Sequence, residues 1–137
     1  AALANAAREP GLYACAIGDA GYYDLRRMLA DESFGGVHRK AYLEELLGSA
    51  DLERASPVHR AGDISARVLL GAGQYDAITP PEHARAMQRA LRSAGRSVEL
   101  VVYDDEDHGN FLPANRRDWS NRVLALLDAS IGAGAGR

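Results

Sequence analysis

ARVLLGAGQYDAITPPEHARAMQRALRSAGRSVELVVY, residues 66–103, contains a complete fold unit. Its opening run, 66–73, is apolar from Val68 onward without alternation and ends in glycines, the pattern of a strand buried on both faces. TPPE at 79–82 predicts a helix start, with Thr79 as N-cap, Pro80 at the first helical position and Glu82 closing a capping box. Ala84, Met87, Ala90 and Leu91 then recur at helical spacing as an inner stripe, and Gly95 ends the helix. SVELVVY, 97–103, has β-branched residues through its core and predicts a second strand. Strand, helix and strand in this order make a βαβ unit, whose two strands run parallel.

The pattern continues on both sides. LYACAIG, 12–18, predicts a further buried strand in which Cys15 faces inward. Ahead of it, AALANAAREPG reads as the last two turns of a helix stopped by Pro10-Gly11. That helix has no cap, initiator Met or signal-like segment, so the chain is expected to be the C-terminal portion of something longer. Asp24 is expected to cap a short helix carrying Leu25, Met28 and Leu29, broken by Phe34-Gly35-Gly36. HRKAYLEELLG then places Tyr42, Leu43, Leu46 and Leu47 at helical spacing, with Gly48 as C-cap. Residues 49–65, including Ser56-Pro57, read as a connecting loop with about one helical turn. A final helix over 115–131 is expected to bury Trp119, Val123, Leu126, Leu127 and Ile131 on one face. Without repeats or a linker, residues 1–137 form one α/β unit, a parallel sheet flanked by helices.

Composition narrows the function classes. A net charge of −3, with basic residues scattered among acids, leaves no electrostatic footprint for nucleic acid. No apolar run approaches the roughly 20 residues of a membrane helix. A single cysteine excludes an internal disulfide and a cysteine-built zinc site.

Ligands and catalytic groups of an open parallel sheet collect beyond the carboxyl ends of its strands. Asp76 lies just past the 66–73 strand and His108 just past the 97–103 strand. Neighbouring strands sit about 4.8 Å apart, so the two loops emerge side by side. A carboxylate on histidine Nδ1 sets the tautomer and stabilises the imidazolium that forms when the other nitrogen takes a proton. The remaining acids of YDDEDHGNF (103–111) are expected to be solvated loop residues.

Other candidates fail on physical grounds. DESFGG, 31–36, imitates a nucleophile elbow around Ser33, but an Asp replaces the glycine that permits the tight turn, and no strand runs into it. Ser33 is therefore read as a surface-loop residue. Asp104, Asp105, Asp107 and His108 lack the spacing of a calcium loop. GAGQYDA has Asp76 where a dinucleotide-binding turn needs its third glycine. His38, His59 and His83 read as surface or packing residues.

With Asp76 and His108 in place, ASPVHRAGDISARVLLGAGQYDAITPPEHARAMQRAL (55–91) resembles the C-terminal half of an α/β-hydrolase of the prolyl oligopeptidase (S9) serine peptidase family. The resemblance rests on Ser56-Pro57, the strand, the Gly73-x-x-Asp76 turn, Pro80, and an acid-rich loop ending His108-Gly109 near Phe111. It extends through YLEELLG and the last helix, over essentially the whole chain. Ala72-Gly73 departs from the family's His-Gly without touching the triad positions. The resemblance implies that Asp76 is the acid of a Ser-Asp-His triad and His108 its general base and acid. The family's serine lies in a Gly-x-Ser-x-Gly-Gly elbow before a helix like the AAL that opens this chain. The implied nucleophile, oxyanion-hole strand and propeller thus lie upstream of Ala1, and the isolated chain is expected to be inactive.

No cofactor or metal is implied. The implied partners are a peptide or ester substrate and the upstream remainder of the same hydrolase domain, with no nucleic acid and no membrane. A carboxylesterase of dienelactone-hydrolase type and a non-catalytic α/β binding module remain alternative readings.

Overall fold

Arg67–Gly73 forms the central strand, β2, of a three-stranded parallel sheet, with β1 (Cys15–Asp19) on one side and β3 (Val98–Tyr103) on the other. The structure, a computed structural model, describes residues 1–30, 36–48, 50–109, 112–133 and 135, with backbone alone for 36–40. The register sets Ile17 beside Leu69 and Gly73 beside Tyr103, so β2 and β3 end level. Val68, Leu69 and Leu70 are all buried, which is why the run is apolar without alternation. Full burial of each leucine contributes about 1.5–3 kcal/mol.

Helices cover both faces. Val68, Leu70 and Ala72 pack with Leu3 and Ala6 of α1 (Ala2–Arg8), with Ile64 beyond a 3₁₀ segment (Pro57–Asp63), and with Met87 and Leu91 of a later helix. In chain order the helices after α1 are α2 (Leu25–Ala30), α3 (Gly36–Leu47), α4 (Leu52–Ala55), α5 (Glu82–Ser93) and α6 (Pro113–Ile131). On the opposite face the Trp119 indole of α6 lies over Gly71, where an added Cβ would sit 2.8 Å from its ring carbons. Gly71 is the residue that lets α6 approach the sheet.

Several local signals act as expected. The Asp24 carboxylate accepts from Arg27 N–H at 3.1 Å, and Gly48 ends α3 with a φ of 53°. After α5, Gly95 takes a φ of 70° and Arg96 N–H returns to Leu91 O at 2.9 Å. Ser56 is fully buried; its Oγ accepts from Leu25 N–H at 2.8 Å and donates to Leu52 O at 2.5 Å, tying α2 to α4.

Other expectations are corrected. β1 begins at Cys15 rather than residue 12, leaving Leu12 and Tyr13 exposed, and Cys15 is only half-buried. Within the expected loop, residues 50–65 hold more structure than one turn, namely α4 and the 3₁₀ segment. Helix α5 starts at Glu82 with Pro81 at the N-cap, so Thr79 lies two residues ahead of the cap, in the turn where its N–H donates to Asp76. No residue of α6 is fully buried, and Ile131 is exposed: one helix on a three-stranded sheet shields its inner stripe from one direction only. Ser33, Phe34 and Gly35 lie outside the described residues, and Gly36 opens α3. Among the described residues, no helix is long and apolar enough to cross a membrane.

Candidate active site

The sheet ladder continues past the strand ends. Gln74 N–H donates to Tyr103 O at 2.9 Å, and Tyr75 N–H donates to Glu106 O at 2.9 Å. These two bonds stitch the loop leaving β2 to the loop leaving β3. Gly73 makes the approach possible, since a Cβ there would lie 2.0 Å from the Asp107 carbonyl oxygen and 2.6 Å from that of Glu106. Both obstacles are backbone, so neither can move aside by changing rotamer. Gly73→Ala is therefore expected to cost about 3 kcal/mol, at the upper end of overpacking, and to displace the segment that carries His108. Thermal melting of the full-length protein checks this; an unchanged melting temperature would mean that the loops separate freely.

Asp76 occupies the turn that Gly73 opens. Its side chain is fully buried, a position that a carboxylate tolerates only with its lone pairs satisfied. Oδ1 accepts from Ile78 N–H at 2.9 Å and from Thr79 N–H at 2.7 Å, while Oδ2 lies 2.9 Å from His108 Nδ1. An ionised carboxylate only accepts, so Nδ1 carries the proton and Nε2 presents its lone pair. The His108 side chain is 41% exposed, open to an incoming group. The two residues expected to meet at the sheet edge thus do meet. Among the described residues, no serine hydroxyl is hydrogen-bonded to the His108 ring.

The acidic loop is not uniformly solvated. Asp104, Asp105 and Asp107 are exposed, but Glu106 is buried, and its carboxylate accepts from Leu112 N–H at 2.9 Å and Asn115 Nδ2 at 3.0 Å. It joins the loop bearing His108 to the start of α6. No local pattern announces this, because the partners are set by where α6 returns. The same helix is braced further along by Tyr103 OH, which donates to Asp118 Oδ2 at 2.9 Å. Burial, then the bond to Asp118, pushes the Tyr103 phenol above its usual range. The Arg122 guanidinium, then Tyr103, holds the Asp118 carboxyl below its usual range. An open groove of about 370 Å³ lined by Tyr75, Asp105, Glu106, Asp107 and Leu112 runs beside the pair and includes neither Asp76 nor His108. His83 is buried in the packing of α5. Among the described residues, no group of three or more His, Cys, Asp or Glu side chains converges as metal ligands would.

The family model described as the prolyl oligopeptidase family matches residues 1–134. A putative carboxymethylenebutenolidase of Salmonella typhimurium is 38% identical over 69 residues, covering 50% of this chain and 26% of that protein. A puromycin-hydrolyzing peptidase of Mycobacterium tuberculosis superimposes with a TM-score of 0.85 at 21% identity, over 95% of this chain and 20% of that one. The acylaminoacyl peptidase of Pyrococcus horikoshii gives a TM-score of 0.77 at 16% identity, over 96% and 22% of the respective chains. At these identities the two structures speak for the fold alone. The chain spans about a quarter of the length of the curated relatives it matches. A family match over nearly every residue, and a parallel sheet that superimposes on α/β-hydrolase peptidases, identify the chain as a member of the prolyl oligopeptidase family with a partial α/β-hydrolase fold.

Proposed function

We propose that this chain is the C-terminal part of the catalytic domain of a serine peptidase, and that Asp76 and His108 are two members of its triad. The observation that carries the reading is the buried Asp76 carboxylate, held by two backbone N–H groups and set 2.9 Å from His108 Nδ1 at adjacent strand ends. The third member is a serine placed upstream of Ala1. Its Oγ attacks the scissile carbonyl while His108 Nε2 takes the hydroxyl proton. Asp76 stabilises the resulting imidazolium across Nδ1–H. The tetrahedral adduct expels the amine, which takes the proton from Nε2 and leaves an acyl-enzyme. Water then attacks, Nε2 accepts its proton and returns it to serine Oγ as the acid departs. No step calls for a cofactor or metal.

Family membership favours amide substrates. The likeness to a putative carboxymethylenebutenolidase and to a probable isoprenylcysteine alpha-carbonyl methylesterase supports a second reading, a carboxylesterase with the same pair of residues. A fluorophosphonate probe, with peptide p-nitroanilides set against p-nitrophenyl acyl esters, separates them on the full-length protein. Covalent labelling with anilide turnover is expected. Labelling with ester turnover alone would move the protein to the esterase reading, and no labelling would leave a binding module. The 137-residue chain by itself is expected to stay unlabelled; a probe adduct on Ser33 would overturn the upstream placement of the nucleophile.

A further inference from the structure

We infer that Tyr22 is a positioning residue for the Asp76–His108 pair, acting through the single peptide unit between Ile78 and Thr79; this rests on the catalytic reading of that pair. The loop leaving β1 carries Tyr22, whose hydroxyl donates to the Ile78 carbonyl oxygen. That carbonyl and the Thr79 N–H belong to the same planar peptide. The N–H end donates to Asp76 Oδ1 at 2.7 Å, and the other oxygen of Asp76 meets His108. Tyr22 OH, the Ile78–Thr79 peptide, the Asp76 carboxylate and the His108 ring therefore form one continuous chain of hydrogen bonds.

Two consequences follow from the geometry. A bond accepted at the carbonyl polarises the peptide and strengthens the N–H that holds Asp76. In addition, a flip of this peptide would turn its oxygen toward the carboxylate and replace attraction with repulsion. Tyr22 opposes that flip, because rotation breaks the bonds at both ends of the plane. The phenol is itself steadied by the buried His83 imidazole, edge-on with ring centroids 4.9 Å apart and planes at 86°. At the mouth of the loop, Ala20 adopts a φ of 45°, a conformation that a non-glycine residue rarely takes, two residues before the tyrosine. The strand next to β2 thus supplies a clamp for the turn that β2 places.

Tyr22→Phe removes the hydroxyl and keeps the ring against His83. In the full-length protein its kcat on an amide substrate is expected to fall about tenfold, the order of one net hydrogen bond, with KM and melting temperature nearly unchanged. Added to Asp76→Asn, the same change is expected to lower kcat less than about twofold, because the residue through which Tyr22 acts is already disabled. An inactive Asp76→Asn beside a fully active Tyr22→Phe would overturn the inference and leave the triad intact. Fully active Asp76→Asn would instead remove the catalytic reading beneath it. An equal loss from Tyr22→Phe in both backgrounds, or one that follows a lowered melting temperature, assigns Tyr22 to general packing and overturns the inference.

Discussion

Asp76→Asn in the full-length protein is expected to lower kcat/KM by about 10⁴-fold while leaving the fold intact. The isosteric amide has one oxygen and one NH₂ to place in the same turn. Ile78 N–H and Thr79 N–H both point at the position of Oδ1, so the amide oxygen must occupy that site. The NH₂ is then directed at His108 Nδ1, where the carboxylate oxygen sat at 2.9 Å. Two donors cannot share that contact, so Nδ1 becomes the acceptor and the ring proton moves to Nε2. A histidine protonated on Nε2 cannot take a proton from serine. The two backbone donors thus make the wrong tautomer the favoured one, a consequence readable only with the turn in view. Kinetics on a p-nitroanilide, alongside a melting curve, provide the check. Activity within tenfold of the parent would mean that the carboxylate has no part in turnover.

His108→Ala is expected to cost more, about 10⁶-fold in kcat, because in the proposed mechanism it removes the group that moves the proton in both halves of the reaction. Its effect on stability should stay near 1–2 kcal/mol, the penalty of leaving one Asp76 oxygen without its partner. That penalty is limited because the imidazole is 41% exposed and water can enter the space it leaves. Fluorophosphonate labelling should fall in parallel with turnover, since the serine loses its base. Undiminished labelling of a folded His108→Ala protein would require another base and would discard the assignment.

Much of the fold was legible because its elements are locally determined. The β2 run is apolar at every position after Arg67 since both its faces are covered there, and the α5 stripe recurs with the helical period. That Asp76 and His108 can touch was legible from position, one loop past each of two neighbouring strands, while their roles come from the family resemblance. The boundary of α5 was not legible in the same way. Thr79 has the chemistry of an N-cap, but the turn around Asp76 runs through its N–H, and the first helical carbonyls are those of Pro80 and Pro81, so the helix begins at Glu82. Glu106 looked like any other acid of its loop until α6 returned Leu112 and Asn115 to its carboxylate. The α6 stripe had the right period, yet period does not say how much surface a sheet offers to cover it.

The sequence by itself determined the alternation of strands and helices, the parallel sheet, and the two loops from which a carboxylate and an imidazole emerge. These follow from hydrophobic period, β-branching and turn residues, which act over a few positions of chain. Only the tertiary structure decided that Asp76 is fully buried with its oxygens divided between two backbone donors and one histidine. It alone set Glu106 inward while its neighbours stay in water, and brought Tyr22 from the far loop onto the Ile78 carbonyl. Each of these contacts joins groups remote in sequence or gives one atom two competing uses, and the outcome depends on where the strands and α6 bring the backbone together.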